Sequence, residues 1–374
     1  MRRSGSKKTK PGWLHKFLLI LNILAAAMLL LSYVASFVSP ATFWPIAFLG
    51  LGYPFLLLFN FVFILFWLFK KPALSLISVV TILLGWKFLV STIGFRESTG
   101  IQVPKSSNAI VRVMTWNVHY FKRFDDTVYQ QTVKNQMMDV IRKEQPDIFC
   151  VQEFFSRKKG EYNFKKAIEE LLKTKHYYIM ELAGNDYEMN GYAIFSKFPI
   201  RNRGKLHFPN TVGNDVIFAD FEIKQKKLRV YNVHLQSISF QPEDYEYLKN
   251  VKEIHTDVNS TKRLSRRIKN AFLKRAEQVD ILKKHAEASN LPYIIAGDFN
   301  DTPISYAVNT LSNGMKNAFR EKGSGFGITY NGDFPNFQID YILTNPAFEV
   351  KNYIIIDKKL SDHYPVRTDL ELNP

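Results

Sequence analysis

Cysteine is all but missing: Cys150 is the single thiol in 374 residues, which excludes an intrachain disulfide framework. Asp and Glu are absent from the first 95 positions, where nine of the 50 Lys and Arg lie. No HExxH pattern occurs, and with one thiol this counts against a zinc site. No internal repeat is visible. Aromatics, by contrast, are plentiful, with 31 Phe and 18 Tyr in a chain that is 46% hydrophobic. The net charge is +16, but the residues beyond 95 carry 41 basic against 34 acidic groups, a net of only +7. Such unevenness excludes a single soluble globule and a disordered polyampholyte. It describes a membrane-attached protein with a moderately basic soluble domain.

Three apolar stretches follow a basic leader at 1–16: Phe17–Val38, Phe43–Phe69 and Ala73–Phe95, the last interrupted only by Lys87. Crossing a bilayer core takes roughly 20 helical residues at about 1.5 Å each, so each stretch is long enough. The first is too long for the core of a cleaved signal peptide, and two more follow at once. Six cations precede the first stretch, none lies in 39–42, and Lys70 and Lys71 separate the second from the third. The positive-inside rule therefore predicts a cytoplasmic N-terminus, and three crossings place everything after Phe95 outside the cytoplasm. Lys87 would snorkel or face a neighbouring helix. With Asn22 and Asn60 it makes a thin polar lining, so anchorage is a stronger reading than transport.

Residues 96–108 read as a polar linker, and 109–374 as one domain. Its β-rich runs are Ile110–Val118, Ile148–Gln152, Tyr192–Ser196, Val216–Glu222, Leu228–His234, Tyr293–Ala296, Ile339–Thr344 and Val350–Ile356. Helical patterns cover Asp126–Glu144, Tyr162–Leu172 and Thr261–Ala288. So many strands predict stacked sheets with helices outside.

Polar residues cluster where these strands end: Asn117, Glu153, His234, then Asp298 and Asn300 in GDFND, Asp340 opening IDYIL, and Asp362 with His363 in SDHYP. Strands lying side by side would bring them to one rim. Carboxylates with amides and imidazoles suit a hard divalent cation handling phosphate, Mg²⁺ with Mn²⁺ as the alternative. Taken singly, each has a bland reading: a strand-end amide, an Asx turn, a helix cap, a satisfied histidine. Their order along the chain is more specific than any one of them. A positioned base must activate water, and either an Asp-oriented histidine or Asp298 would serve.

The motifs TWNVH, VQE, GYAIFSKFPI, VYNVHL, AGDFND, IDYIL and SDHYPV resemble, in family order over about 110–372, the endonuclease/exonuclease/phosphatase superfamily of deoxyribonuclease-I-like phosphoesterases. The resemblance implies a four-layer αββα sandwich, here preceded by three transmembrane helices. It also implies that Asn117 and Glu153 form the metal-site pair, that Asp298 orients the attacking water and that Asn300 contacts phosphate. His234 would meet the phosphate or leaving group, Asp340 would orient His363, and Asp362 would complete the metal rim. The histidine in VHL departs from abasic-site endonucleases, and no inositol-5-phosphatase tryptophan–cysteine–aspartate–arginine motif occurs. His119 and Tyr192 belong near the site or serve structure alone.

Between Gln236 and Lys269 an insert sets Phe240, Tyr245 and Tyr247 ahead of Arg266 and Arg267. It could grip nucleic acid, meet anionic lipid headgroups, or be a solvated basic helix from which Arg275 turns inward. Tyr245, Arg266 and Arg267 are the candidate substrate contacts. The first functional expectation is thus a membrane-anchored phosphodiesterase acting on extracytoplasmic nucleic acid. The second is a lipid-directed phosphoesterase, and the third a scaffold with a retired site. The expected partners are a phosphoester substrate and the bilayer; no protein partner is inferred.

Overall fold

The β-rich runs of the domain fold as two six-stranded sheets. The computed structural model describes residues 12–96, 105, 110–122, 130–209, 211, 213–252, 257–332 and 336–372. One sheet has the order Phe348–Ile355, Val366–Leu372, Ile110–Asn117, Ile148–Arg157, Glu188–Ser196, His176–Gly184. The other runs Lys316–Asn317, Asp340–Thr344, Tyr293–Asp298, Lys226–His234, Val216–Ile223, Ile200–Leu206. Each has one parallel pair at its centre: Ile110–Asn117 beside Ile148–Arg157, and Lys226–His234 beside Tyr293–Asp298. Parallel neighbours need a crossover, and helices Gln131–Glu144 and Val258–Glu287 lie in those two connections. The C-terminal ends of each pair therefore point the same way. That geometry positions the site.

Val113, Ile148, Ile194, Val230 and Ile342 fill the space between the sheets. Met137, Ile141 and Ile168 from helices cover one outer face, and Val279, Leu282 and Leu311 cover the other. The layers are helix, sheet, sheet, helix, an α/β sandwich. Central strands such as Ile110–Asn117 are buried on both faces, hence their unbroken apolar runs.

Several boundaries differ from expectation. The first helix of the domain begins at Gln131; the expected start at Asp126 lies outside the described residues, as do 1–11 of the leader and nearly all of the linker. His176–Gly184 and Ile200–Leu206 are strands that the sequence pattern did not announce. Both are sheet edges, and edges carry polar and charged side chains that blur the alternation.

The apolar N-terminal region is more broken than its hydropathy. Trp13–Val34 and Tyr53–Lys70 are long and apolar enough to cross a membrane. The gap before the second stretch forms a short helix, Pro40–Phe43, and the front of the stretch forms another, Pro45–Leu51. Pro45 and Pro54 lack the N–H needed inside a helix and each opens a new one. The third stretch bends by 72° between Pro72–Leu84 and Trp86–Thr92, so it makes one span only if the bent pair is counted together. Gly85 sits at the bend because a Cβ there would lie 2.1 Å from Tyr33 Cζ. Beyond it, Ile93–Phe95 pairs antiparallel with Ser324–Phe326, tying the region to the sandwich.

This joint is close-packed. Leu29, Tyr33, Tyr53 and Phe88 enclose Ile304. A Cβ on Gly50 would stand 2.5 Å from the Ile304 carbonyl oxygen, so only glycine permits the approach. Lys87 reaches across to donate to Asn309 Oδ1 at 3.0 Å, and Asn309 Nδ2 donates to the Ser36 carbonyl at 2.9 Å.

Candidate active site

The two parallel pairs deliver Asn117, Glu153, His234 and Asp298 to one rim. In register, His234 faces Asp298 and Asp298 faces Asp340. Glu153 reaches the rim through a bulge: the ladder slips between Val151 and Phe154, and Glu153 takes a left-handed φ of 49°. A bulge re-aims a side chain that would otherwise follow the pleat. Gly297, at φ 147°, lets the strand pass where a Cβ would meet the Val233 carbonyl oxygen at 2.0 Å.

Asn117 Nδ2 donates to both Glu153 Oε1 and Asp298 Oδ2, each at 3.1 Å. His234 Nε2 lies 3.5 Å from Asp298 Oδ2. Tyr192 gives its hydroxyl proton to the Gly213 carbonyl, so His234 Nδ1, 3.2 Å away, donates to the tyrosine oxygen. That fixes the ring with Nε2 toward the rim. His363 Nδ1 is 2.9 Å from Asp340 Oδ2, and its Nε2 is 3.6 Å from Asp298 Oδ2. Asn300, at φ 52°, donates its backbone N–H to Asp298 Oδ1 and its amide to the Leu235 carbonyl. Ser361 donates to the Asn117 carbonyl, holding the Asp362–His363 loop against the rim.

Electrostatics divide the carboxylates. Burial pushes Glu153 up, but the hydrogen bond from His119 and the charges of His234 and His119 hold its pKa down at about 2. Burial lifts Asp298 to about 6, with Asp340 adding and His363 and His234 opposing. Burial alone would lower His363; Asp340, Asp298 and Asp362 instead raise it well above the usual histidine range. His119 is the residue that sequence left ambiguous. Its Nδ1 stands 3.4 Å from Glu153 Oε2 and 3.7 Å from Asp362 Oδ1, so both carboxylates converge on one imidazole nitrogen and raise the His119 pKa. A second buried group, Asp298, Asp340 and His363, offers ligand atoms within 4.8 Å of one another and could also hold a metal ion.

All eight rim residues thus meet, and all but Asp340 line a cavity of about 470 Å³. Tyr245 lines it too, whereas Arg266 and Arg267 do not. Arg267 is bound to Asp244 at 3.1 Å and to the Ser239 carbonyl, Arg263 shares the same Asp244, and Lys269 stacks over Trp44 at 4.6 Å. Arg275 does turn inward, paired with Asp301 at 2.9 Å. What sequence reasoning missed is the wall opposite the rim: Phe48, Leu51 and Phe55 of the apolar N-terminal region. Their hydropathy marks them for lipid, and nothing in the sequence separates burial in lipid from burial against a cavity. Tyr330, whose ring packs 5.2 Å from His363, was missed as well.

Comparison with known proteins agrees with this geometry. The model of the endonuclease/exonuclease/phosphatase family matches residues 114–363, and that of a domain of unknown function (DUF8431) matches 15–92. An endonuclease/exonuclease/phosphatase from Beutenbergia cavernae DSM 12333 is 20% identical, with a TM-score of 0.50 over 71% of this chain and 72% of that one. One from Bacteroides vulgatus is 20% identical, with a TM-score of 0.48 over 71% and 99%. The human Nocturnin catalytic domain is 16% identical, with a TM-score of 0.48 over 70% and 94%. No curated protein matches the chain.

Proposed function

The chain belongs to the endonuclease/exonuclease/phosphatase family of phosphoesterases, and from that premise we propose a membrane-anchored, divalent-metal-dependent hydrolase of phosphodiesters. The observation that carries this reading is the convergence of Asn117, Glu153, His234 and Asp298 from two parallel strand pairs onto one cavity rim. Glu153, Asn117 and Asp362 would hold the metal, Mg²⁺ or Mn²⁺, because the Glu153 pKa is held down at about 2 and the Glu153 and Asp362 carboxylates converge within 3.4 and 3.7 Å of one point, His119 Nδ1. The Asp298–Asp340–His363 group is less suited, since the His363 imidazolium neutralises it from within.

A bound divalent ion would supply charge neutralisation to the phosphoryl oxygens. The protein does the rest. His234 Nε2, once substrate binds and the ring carries its second proton, and the remaining N–H of the Asn300 amide would donate to those oxygens. Asp298 Oδ2 is the acceptor for the proton of the attacking water, being buried and more basic than Glu153. His363, held by Asp340, stabilises the developing charge. Chelation with EDTA should abolish turnover, and Glu153→Ala and Asp298→Ala should each lower kcat by about 10³-fold or more, several kcal/mol of barrier. Chelator-resistant hydrolysis would sink the metal assignment; losses under about tenfold in both variants would move the chemistry elsewhere.

The domains we retain are a leader at 1–16, an anchor at 17–95, a linker at 96–108 and a catalytic domain at 109–374. The anchor crosses three times, the third crossing being the pair bent at Gly85, with the N-terminus cytoplasmic and the catalytic domain extracytoplasmic. Protease added to intact cells or spheroplasts should digest the catalytic domain; protection of it, with a cleavable N-terminus, would reverse this topology. Of the two substrates, lipid is favoured over nucleic acid by Phe48, Leu51 and Phe55 facing the rim and by the cations Arg263, Arg267 and Lys269 being committed elsewhere.

A further inference from the structure

Behind the apolar wall of the catalytic cavity lies another space. A second cavity, of about 670 Å³, shares Phe55, Thr302 and Phe337 with it and runs on between the anchor and the sandwich. Its anchor side is Pro54, Leu57, Leu58, Phe61, Ile82 and Leu89, and no charged residue lines it. Leu58 and Phe61 are also half-exposed on the outer surface of a helix apolar enough to span the bilayer. The channel therefore has a charged end at the rim and a hydrocarbon-like end beside lipid. Both volumes are of the size that encloses a ligand.

Three residues that line this cavity carry buried polar atoms without a protein partner. Tyr53 Oη, Thr302 Oγ1 and both side-chain atoms of the Gln338 amide are buried and unbonded. All three residues line the second cavity, and Thr302 lines both. Buried polar atoms almost always have partners, and a side-chain rotation toward the cavity would let a ligand supply those missing here. Charged groups line the first cavity, Thr302 lies on the boundary shared by both, and apolar side chains make up most of the second. That is the order of a glycerolipid or sphingolipid: phosphoester, ester or amide linkage, chain.

We propose that the substrate is a bilayer lipid, its phosphoester at the Glu153–His234–His363 rim, its linkage region beside Thr302 and Gln338, and its chain in the channel along Phe55, Leu58 and Phe61. The inference rests on the phosphoesterase reading and names its substrate class. The anchor is then a wall of the binding site as well as a tether. A lipid reaches the rim sideways from the outer leaflet without leaving hydrocarbon, whereas a polyanion would have to face the phenylalanine wall.

The test uses the full chain in vesicles of digalactosyldiacylglycerol, which carries no phosphoester, doped with a long-chain phosphatidyl diester that bears a diazirine at mid-chain. Photolysis should label the 54–61 and 82–93 segments, and unlabelled long-chain diester should compete while its dibutyryl analogue does not. Labels spread evenly over Ile20–Leu31 without competition would overturn the channel. In turnover, kcat/KM should favour the long-chain diester over the dibutyryl analogue at least tenfold, and Leu58→Trp should erase most of that ratio. Parity in the wild type overturns the proposal. Gln338→Leu should leave Tm unchanged or higher while lowering long-chain kcat/KM about tenfold; unchanged kcat/KM would remove the linkage contact. Bis(p-nitrophenyl) phosphate separates the two failures. Its metal-dependent cleavage alongside diffuse labelling sinks the lipid and keeps the phosphoesterase, whereas channel labelling with no diester cleaved sinks the phosphoesterase and the lipid as its substrate.

Discussion

The rim and the anchor each bury a polar cluster, and they do so in opposite ways. In the anchor, Asn22 Nδ2 donates to Ser78 Oγ at 2.7 Å, Ser78 donates to Asn60 Oδ1 at 2.9 Å, and Trp67 Nε1 donates to Asn22 Oδ1 at 2.9 Å. Asn60 Nδ2 spends its protons on the Ala25 and Leu56 carbonyls. Every member is neutral and every atom of the three polar side chains is used. The rim instead packs four carboxylates with three imidazoles, and Asp340 Oδ1 is left without a partner. A closed neutral network suits the membrane setting proposed for this region, where no water could correct a mistake. An open charged one is costly and persists where chemistry needs unspent groups. The asparagines that might have lined a path through the membrane are therefore glue between helices.

Breaking the rim should have the larger effect. If Asp340 orients His363 and stabilises its imidazolium, the two act as one unit. His363→Ala and Asp340→Ala should each lower kcat by about 10²–10⁴-fold, and the double variant should be little worse than the poorer single one. The 2.9 Å contact between them motivates this. Losses that multiply, with Asp340→Asn nearly silent, would reduce Asp340 to a strand cap and His363 to a lone charge contact. Measuring kcat for both singles and the double decides it.

A middle effect is expected where the two regions meet. Gly50→Val would force a methyl-bearing carbon to within 2.5 Å of the Ile304 carbonyl and 2.9 Å of Ala35 Cβ. Overpacking of this kind costs about 1–3 kcal/mol. Amide exchange in detergent should accelerate in Tyr306–Ser312 and stay unchanged in Ile110–Asn117. Uniform exchange in both segments would mean that anchor and sandwich are coupled loosely.

The same contrast explains what was legible in the sequence. Rim residues announce themselves because each stands just after an apolar strand: Asn117 after VRVMTW, Glu153 after IFCVQ, His234 after VYNV. Most central strands read well because both faces are buried; Val366–Leu372, also interior, was missed because its buried Arg367 and Asp369 interrupt the apolar run. His176–Gly184 and Ile200–Leu206 did not read well either, since edges face water. In the anchor, hydropathy located the apolar stretches but merged Pro45–Leu51 with Tyr53–Lys70, although Pro45, Gly52 and Pro54 mark the breaks. The basic insert misled for a different reason. Asp244, which ties down Arg263 and Arg267, lies 19 and 23 residues before them, and only folding brings the three together.

The smallest expected effect is in the anchor seam, and it is the one that tests its role as glue. Asn60→Leu keeps the volume but removes the acceptor of Ser78 and the donor to the Ala25 carbonyl. Interhelical hydrogen bonds in membranes average about 0.6 kcal/mol and reach about 1.7, so unfolding in mixed detergent should shift by about 1 kcal/mol. Asn22 keeps its contacts to Ser78 and Trp67, which limits the damage to one edge of the network. Asn60 sits in the middle of Tyr53–Lys70, away from the rim, so kcat on a soluble diester should be unchanged. If Asn60→Leu cut turnover as deeply as His363→Ala, the seam would be part of the working machinery, and the division between a closed structural cluster and an open chemical one would fail.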